Sequence, residues 1–375
     1  EFRSTLFYKK IKGEQRMAPS VHQYIRISGQ AHERGVAYGS FAKERILKVI
    51  DEYKVLFDKE AHLPWKDAVR MAKRYEPAIR AYRPDLIDEM KGIAEGAGVP
   101  FDVILTLNCR SEVMFAKSEA PADECSVIGV PPEASGNGKT YLAQNWDWWS
   151  IGAGTTVILE VDERPYPKAL IVTEAGLVGG KGLNAAGVGV SLNAMSVKKG
   201  QIGVPLHVIL RNAVQQPTVP KAIDTIAKAK RAGSACVGLA SADGLVVAVE
   251  YAPSDLDILL SDGHPLCHTN HWLSPYMLSQ GEATRYSFTS TFTRLDRVRR
   301  LTRAEEGHLK RKTLFRILSD HAGNPDGVCR HDDMSLPEYH RHTSLWSMVL
   351  DLDERTLWLT EGSPCSTKAR SYTLK

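Results

Sequence analysis

The sequence predicts a layered α+β fold in which helices cover a largely antiparallel pair of β-sheets. Three observations predict it. Residues 30–98 show helical periodicity, short strand-like runs separated by Gly, Pro and Asn follow Cys125, and paired helix-like segments interrupt the later strand blocks. Strand blocks that alternate with helix pairs are typical of sheets covered by helices.

The first third of the chain is predicted to be a helical unit. Apolar residues in the first long helix recur every three to four positions, which places them on one helical face. These residues are Ile46, Val49, Ile50, Tyr53 and Phe57. A second helix is predicted over 65–82, and a third over 85–95 before the stop signal at 96–100.

The chain after Cys125 is predicted to form strands, with helix pairs between the strand blocks. The strands are predicted over 126–130, 141–146, 155–161, 169–173, 187–193, 236–239, 246–251 and 257–260, with a last hairpin of 344–350 and 356–360. The helices are predicted over 206–215, 219–228, 294–303 and 313–319.

Composition and charge exclude several classes of protein. Hydrophobic residues make up 43% of the 375 residues and charged residues 25%, as in globular proteins with a large core. The 48 basic and 44 acidic residues are mixed along the chain, so we expect no nucleic-acid partner. No apolar run approaches the roughly 20 residues that span a bilayer, so we expect no membrane partner and a cytoplasmic protein. Residues 1–16, which precede Met17, are expected to be an extension or fragment.

The cysteines are spread along the chain without close pairs, which argues against a disulfide framework and against a CxxC zinc site. They are Cys109, Cys125, Cys236, Cys267, Cys329 and Cys365. We expect at least one of them to take part in chemistry and the others to pack as small apolar residues.

Cys125 begins a predicted strand that Pro131 and Pro132 end, and a returning strand ends in Asp147. If the hairpin is centred on Gly136, equal counting along both arms places Asp147 opposite Cys125, to within about two residues. The sequence therefore predicts a carboxylate that faces a thiol across one strand pair. From composition alone, Cys125 also fits a buried small residue, and Asp147 a turn former at a strand end.

Six short sequence blocks occur between residues 107 and 271. They are LNCRSE at 107–112, ECS at 124–126, QNWD at 144–147, TEAG at 173–176, GLNAAGVGV at 182–190 and HTNH at 268–271. Together, in this order and with these separations, they resemble the acyl-coenzyme A:isopenicillin N acyltransferase family. The resemblance runs from about residue 25 nearly to the C-terminus.

The resemblance implies the fold and processing of an N-terminal-nucleophile hydrolase, which is a four-layer αββα sandwich made as a proenzyme that cuts itself before its nucleophile. The cut would fall between Glu124, where the family has glycine, and Cys125. It would separate a helical segment, 17–124, from a catalytic segment, 125–375, and the two would stay together as a heterodimer. A free α-amino group, with a pKa of about 7.7–8.0, can act as the base for its own thiol.

The resemblance also assigns further site residues. Asn270 corresponds by position to the residue that stabilises the oxyanion, and Arg341 to the arginine that pairs with Asp147. Trp146 is expected to contact the substrate because of its large apolar ring, although it also fits a core aromatic residue. His340, which stands where the family has a serine, is expected to contact the substrate as well. Without the resemblance, Asn270 fits a turn residue and Arg341 an exposed cation at a strand end.

The function implied is transfer of an acyl group from a coenzyme A thioester or an amide to a small amine, through an acyl-cysteine intermediate. No cofactor is expected, and acyl-CoA would serve as a co-substrate. The alternative is an amidohydrolase or thioesterase that acts on small N-acyl compounds or peptides. A catalytically silent binding protein on the same fold is a further alternative.

A histidine-rich run offers a second alternative, a zinc-dependent hydrolase. The run contains His264, Cys267, His268 and His271, with His331, His340 and His342 downstream. It matches no standard ligand spacing, and in a strand its members would divide between two faces. We therefore predict no metal site, and interpret these histidines as packing or substrate-contact residues.

Overall fold

The computed structural model describes residues 23–115, 124–196, 200–282 and 289–374. The described residues before Cys125 form one strand and a series of helices. In chain order these are β1 (Gln23–Ser28), α1 (Ala31–Phe41), α2 (Lys43–Lys59), α3 (Trp65–Ala72), α4 (Glu76–Tyr82), α5 (Pro84–Ala97), α6 (Phe101–Asn108) and α7 (Arg110–Met114).

The part from residue 124 onward contains most of the strands. Its first strands are β2 (Glu124–Val130), β3 (Tyr141–Trp149), β4 (Thr156–Asp162), β5 (Ala169–Glu174), β6 (Lys181–Asn184), β7 (Val188–Val190) and β8 (Asn193–Ala194). Then follow α8 (Leu206–Val214), α9 (Val219–Lys228), β9 (Ala235–Ser241), β10 (Val246–Tyr251), β11 (Leu256–Leu260) and β12 (Leu266–His268). The last elements are α10 (Pro275–Met277), α11 (Ser290–Ala304), α12 (Arg311–Leu318), β13 (His342–Asp351), β14 (Thr356–Leu359) and β15 (Arg370–Thr373).

The strands form two sheets that stack face to face. The larger sheet has the order β1-β4-β5-β6-β7-β9-β10-β11, with β8 paired to β9, and the smaller has the order β12-β2-β3-β13-β14-β15. Helices α1, α8 and α9 contact the larger sheet, α11 and α12 contact the smaller, and β2 and β3 contact β9 across the interior. The predicted four-layer αββα arrangement is confirmed.

Strand β1 joins the segment before Cys125 to the larger sheet, because it pairs in parallel with β4. The sequence analysis missed this strand, together with the short strands β6, β12 and β15. It also predicted one helix over 65–82, where the structure has α3 and α4 separated by a 3₁₀ turn, Lys73–Tyr75. Pro77 explains the break, since its ring lacks an N–H and clashes with the carbonyl four residues earlier in an α-helix.

Glycines let α1 and α5 cross with their backbones in contact. A Cβ added to Gly35 would lie 2.1 Å from the carbonyl oxygen of Glu89, and one added to Gly92 would lie 2.1 Å from that of His32. No side chain fits between helices that close, so these positions fix how the helical layer packs.

Among the described residues, no helix combines the length and the apolar character that crossing a membrane requires.

We predict that Gly35→Ala destabilises the protein by about 2 kcal/mol or more, since the methyl group must push two helix backbones apart. Gly233→Ala is the matched control, because a Cβ there meets no atom within 4 Å, and it should change stability by less than about 1 kcal/mol. Urea unfolding measures both variants. Equal unfolding midpoints for the two would show that the α1–α5 crossing is not close-packed.

Candidate functional site

Cys125 lies in β2, inside the smaller sheet, and is fully buried. Residues two and four positions later show which way its side chain points, because alternate residues of a strand share a face. Val127 lies beside Gly238 of β9, and Gly129 faces Val246 of β10 so closely that a Cβ on it would lie 2.5 Å from the valine. Both neighbours belong to the larger sheet. The thiol of Cys125 therefore points into the space between the two sheets.

Contrary to the prediction, Asp147 does not face this thiol. The register pairs Cys125 with Trp146 and Glu124 with Asp147, so the hairpin is centred between Ser135 and Gly136, and the prediction was one residue off. Directly opposed residues share a face and successive residues do not. A shift of one residue, although within the expected margin, therefore moves Asp147 to the opposite face of the sheet from the thiol.

The Asp147 carboxylate is buried and bound to the neighbouring strand β13. Its Oδ1 accepts a hydrogen bond from Ser344 Oγ at 2.6 Å, and that Oγ accepts one from the Arg330 backbone N–H at 2.9 Å. Ser344 lies opposite Asp147 in the β3–β13 register. Asp147 thus ties β3 to β13 and to the loop before β13. Its predicted catalytic role stays a prediction.

Asn270 lies beside Cys125, as the resemblance implied. Leu266 pairs with Gly129 and His268 with Val127, so the same register, extended two residues past the end of β12, places Asn270 next to Cys125. Asn270 Oδ1 accepts the Cys125 backbone N–H at 2.9 Å, and its Nδ2 donates to the Ala194 carbonyl at 3.0 Å. The proximity is confirmed, and the oxyanion role stays a prediction.

Two residues that the sequence analysis missed bind the carbonyl of Cys125. Arg294, buried on α11, donates from Nη1 to this carbonyl at 2.7 Å and from Nη2 to Asn270 Oδ1 at 3.1 Å. Asn193 Nδ2 donates to the same carbonyl at 3.2 Å. Arg294 had one signal in the sequence, since it falls on the apolar face of α11 with Leu295 and Val298. A charged residue on that face needs buried partners.

The turn that carries Asn270 is held by its own hydrogen bonds. Thr291 Oγ1 accepts the Asn270 backbone N–H at 2.9 Å. Glu250 bonds His268 Nε2 at 2.7 Å and accepts the backbone N–H of Ser274 at 3.0 Å. These contacts fix the backbone on both sides of Asn270, so its side chain is positioned before any substrate arrives.

The histidine-rich run does not form a metal site. Each of its possible ligands has a separate partner in the described residues: His264 with Glu306, Cys267 with Thr302, His268 with Glu250, and His271 with Thr291. Burial lowers the pKa of His271 to about 4, helped by His268 and Arg294, so its ring stays neutral at ordinary pH. These separate contacts do not bring the ligands of the run together, so its zinc interpretation is wrong. Buried His268 and His271 agree with the packing interpretation, whereas His264 lies at the surface.

Trp146 shares the inner face with Cys125 and forms part of an aromatic wall. Its ring stacks on Trp148 at 5.9 Å and lies 5.4 Å from the ring of Trp346. The ammonium of buried Lys181, from the larger sheet, lies 4.5 Å from the Trp146 ring centre, within cation–π range. The wall lies beside the thiol, and its contact with substrate stays a prediction.

Two of the sequence blocks meet behind this wall. Arg110 Nε bonds Glu174 Oε2 at 2.9 Å, and Tyr53 donates to the other carboxylate oxygen of Glu174 at 2.8 Å. The Arg110 guanidinium lies 4.6 Å from the centre of the Trp148 ring. Residues of the LNCRSE and TEAG blocks therefore support the tryptophans.

Arg341 lies away from the position expected for a partner of Asp147. The β13 register places Ser344 opposite Asp147, and Arg341 comes three positions earlier, about 10 Å along an extended chain. Arg341 Nε donates to the Leu336 carbonyl, and within the described part of the chain it forms no ion pair with Asp147. The predicted Asp147–Arg341 pair is thus wrong. His340 pairs with Glu60 at 2.6 Å on the surface, and its predicted contact with substrate stays untested.

Comparison with known proteins shows the same family for most of the chain. Residues 134–366 match the family model described as acyl-coenzyme A:6-aminopenicillanic acid acyl-transferase, a range that begins after Cys125. The 40 kDa form of acyl-coenzyme A:6-aminopenicillanic-acid-acyltransferase from Emericella nidulans is 27% identical over 327 residues, covering 80% of this chain and 90% of the relative.

Two solved structures also show similarity to this chain. Penicillin V acylase from Agrobacterium tumefaciens is 13% identical, with 67% of this chain and 86% of that one covered and a TM-score of 0.43. A variant of conjugated bile acid hydrolase from Clostridium perfringens is 12% identical, with 66% and 97% covered and a TM-score of 0.46.

We predict that Arg294→Lys destabilises the fold by about 2–3 kcal/mol, because lysine cannot reproduce the forked hydrogen bonds to the Cys125 carbonyl and Asn270. Arg300→Lys on the same helix is the control. Arg300 is exposed and pairs only one turn away with Asp296, so its replacement should cost less than about 0.5 kcal/mol. Urea unfolding compares the stabilities of the two variants. A small loss of stability for Arg294→Lys would mean that the hydrogen bonds from Arg294 to the Cys125 carbonyl and to Asn270 contribute little to the fold.

Proposed function

The chain belongs to the acyl-coenzyme A:6-aminopenicillanic acid acyl-transferase family, and from this membership we propose that it transfers an acyl group from a coenzyme A thioester or an amide to a small amine through a thioester on Cys125. One observation supports Cys125 most strongly. Both polar groups of its main chain are bound by side chains, the N–H by half-buried Asn270 and the carbonyl by buried Arg294. Its thiol points toward the aromatic wall.

We propose that the first reaction is cleavage of the chain before Cys125. Cys125 Sγ attacks the Glu124 carbonyl carbon, the Glu124–Cys125 C–N bond breaks, and the thiol proton passes to the released nitrogen. Water then hydrolyses the resulting thioester, which leaves a Glu124 carboxylate and a free Cys125 thiol with an α-amino group. Asn270 Oδ1, 2.9 Å from that nitrogen, would hold it as leaving group and afterwards as amine.

Cleavage would also supply the base for acyl transfer. The α-amino group lies on the same residue as the thiol, and in neutral form it can take the thiol proton. The Arg294 guanidinium lies 3.1 Å from Asn270 Oδ1, and a positive charge so near disfavours a second positive charge on the amine. Arg294 would therefore favour the neutral, basic form of the amine.

Both pieces of the cut chain would remain together. Strand β1 pairs with β4 along six residues, and the buried Arg110–Glu174 ion pair also joins the two segments. Separating them would expose the larger sheet and leave a buried charge without its partner, which costs several kcal/mol. We therefore expect the mature protein to be a heterodimer of its own two segments.

In the acyl-transfer step, the Cys125 thiolate attacks the acyl carbon of the donor. The bond to coenzyme A sulfur breaks, and that sulfur takes a proton as it leaves. A small amine then attacks the thioester, loses a proton and leaves as an amide, which frees the thiol. Trp146 and Trp148 would contact an apolar acyl chain. Water competes for the same carbon, and hydrolysis is the alternative outcome.

We predict that freshly expressed protein yields a fragment that begins Cys-Ser-Val-Ile, since the bond before Cys125 is the one cut. Intact mass and N-terminal sequencing test this. Cys125→Ala should remain a single chain with no turnover, whereas Cys109→Ala, which removes a buried thiol elsewhere, should be cut normally. A fully active enzyme that stays one chain would contradict self-cleavage.

We predict that the cut protein, given an acyl-CoA and a panel of small amines, releases coenzyme A and forms an amide. Free coenzyme A, free acid and amide are followed separately, because a bound amine must outcompete water through its effective molarity. If free acid is the product with every amine, the protein is a hydrolase and not an acyltransferase. No coenzyme A release, together with no cleavage of small amides, would overturn the proposed enzyme.

A further inference from the structure

Four potential metal ligands converge on the outer side of the smaller sheet, away from the histidine-rich run. They are His321, Cys329, His331 and Cys365, and one ligand atom from each lies within 4.8 Å of all the others. Three come from the loop between α12 and β13, and Cys365 comes from the loop between β14 and β15. Nothing in the proposed acyl transfer uses these residues.

The distances between these atoms resemble those around a tetrahedral zinc ion. His321 Nε2 lies 3.1 Å from His331 Nε2, which lies 3.5 Å from Cys329 Sγ and 3.6 Å from Cys365 Sγ. Bonds of about 2.0–2.1 Å to nitrogen and 2.3 Å to sulfur give tetrahedral edges of about 3.3–3.4 Å between nitrogens and about 3.6 Å between nitrogen and sulfur. The three distances from His331 Nε2 agree with these edges to within a few tenths of an ångström, and the remaining pairs lie within 4.8 Å.

The chemistry of the ligand set also favours zinc. Two thiolates and two imidazoles are a standard set for this ion, and thiolate sulfur selects it over magnesium or calcium. Buried Cys329 anchors the cluster, while His321 and Cys365 lie at the surface, where an ion from solvent can reach them. On binding, each thiol loses its proton to solvent.

The loop is already folded so that its ligands converge. The Cys329 N–H donates to the Asp320 carbonyl at 3.0 Å, and the His331 N–H donates to the Pro325 carbonyl at 3.1 Å. The first bond holds Cys329 against the residue before His321, and the second holds His331 against the middle of the loop. Ligands presented in this way lose less conformational entropy when they bind an ion.

We propose that His321, Cys329, His331 and Cys365 bind one zinc ion in a closed structural site that joins the α12–β13 loop to the β14–β15 loop. All four positions of the tetrahedron are filled by protein, so the ion has no open position for catalysis. The joined loop also supports the strands next to Cys125. The Val328 carbonyl accepts Asn145 Nδ2 at 2.7 Å, and the Arg330 N–H donates to Ser344, the partner of Asp147.

The test uses the full chain and does not depend on acyl transfer. Protein purified under reducing conditions is dialysed against a weak chelator, and its zinc is measured by mass spectrometry. We expect about one zinc per chain in the wild type and close to none in Cys365→Ser, an exposed position that should tolerate the change. Cys267→Ser is the control. The sulfur of Cys267 contacts Thr302 and lies outside the cluster, so this substitution should leave the zinc content unchanged.

A second measurement reports the ligand geometry. Replacement of zinc by cobalt should give the visible bands of a tetrahedral ion with thiolate ligands in wild type, and Cys365→Ser should lose these bands. Zinc content that is near zero in wild type after reconstitution, or unchanged in Cys365→Ser, would overturn the proposal. A Cys329–Cys365 disulfide that persists in protein purified under reducing conditions, seen as a loss of two hydrogens in the peptide mass, would also overturn it.

Discussion

The rest of the site depends on the hydrogen bonds that Asn270, Arg294 and Asn193 make to the main chain of Cys125, which we call the clamp. Its N–H donates to Asn270, and its carbonyl accepts from Arg294 and Asn193, so the backbone is fixed on both sides of the thiol. Hydrogen bonds from a charged donor contribute about 1.5–3 kcal/mol each, and an unpaired buried guanidinium would cost more. The clamp therefore holds together only in a fully assembled interior, which requires residues from β2, β8, α11 and the turn after β12.

Both sheets and the outer helices are needed to build that clamp. Strand β12 brings Asn270 alongside Cys125 in β2, and β8 of the larger sheet brings Asn193 to the carbonyl of Cys125. Arg294 reaches the clamp because α11 packs on β2 and β12. On the inner face, Trp146 and Lys181 come from different sheets and meet beside the thiol. The four-layer arrangement thus positions chemistry that no single element contains.

The sequence predicted what local patterns determine. Helical periodicity and runs of strand-forming residues located most elements, and the six blocks predicted the layered fold and the neighbours Cys125 and Asn270. The face of Asp147 could not be predicted, because it depends on whether the turn is centred on Gly136 or half a residue earlier. Arg341 was assigned by position alone, whereas its contacts depend on the register of β13 against β3.

Long-range convergence accounts for what the sequence analysis missed. Arg294 and Asn193 lie more than sixty residues from Cys125. The proposed zinc ligands combine a loop at 321–331 with Cys365, a spacing that matches no standard motif. In a sequence, a metal site is indicated by closely spaced ligands, and a ligand set assembled from two loops lacks that spacing, so no metal site was predicted.

If Cys125 carries the acyl group during turnover, the acyl-enzyme can be trapped on it. The cut protein is mixed with an acyl-CoA, quenched in acid within the first turnover and digested, and its peptides are weighed. We predict the added mass of the acyl group on the peptide that begins at Cys125, and its removal by a small amine added before the quench. An acyl group on another residue, or turnover without any covalent acyl-enzyme, would show that Cys125 is not the nucleophile.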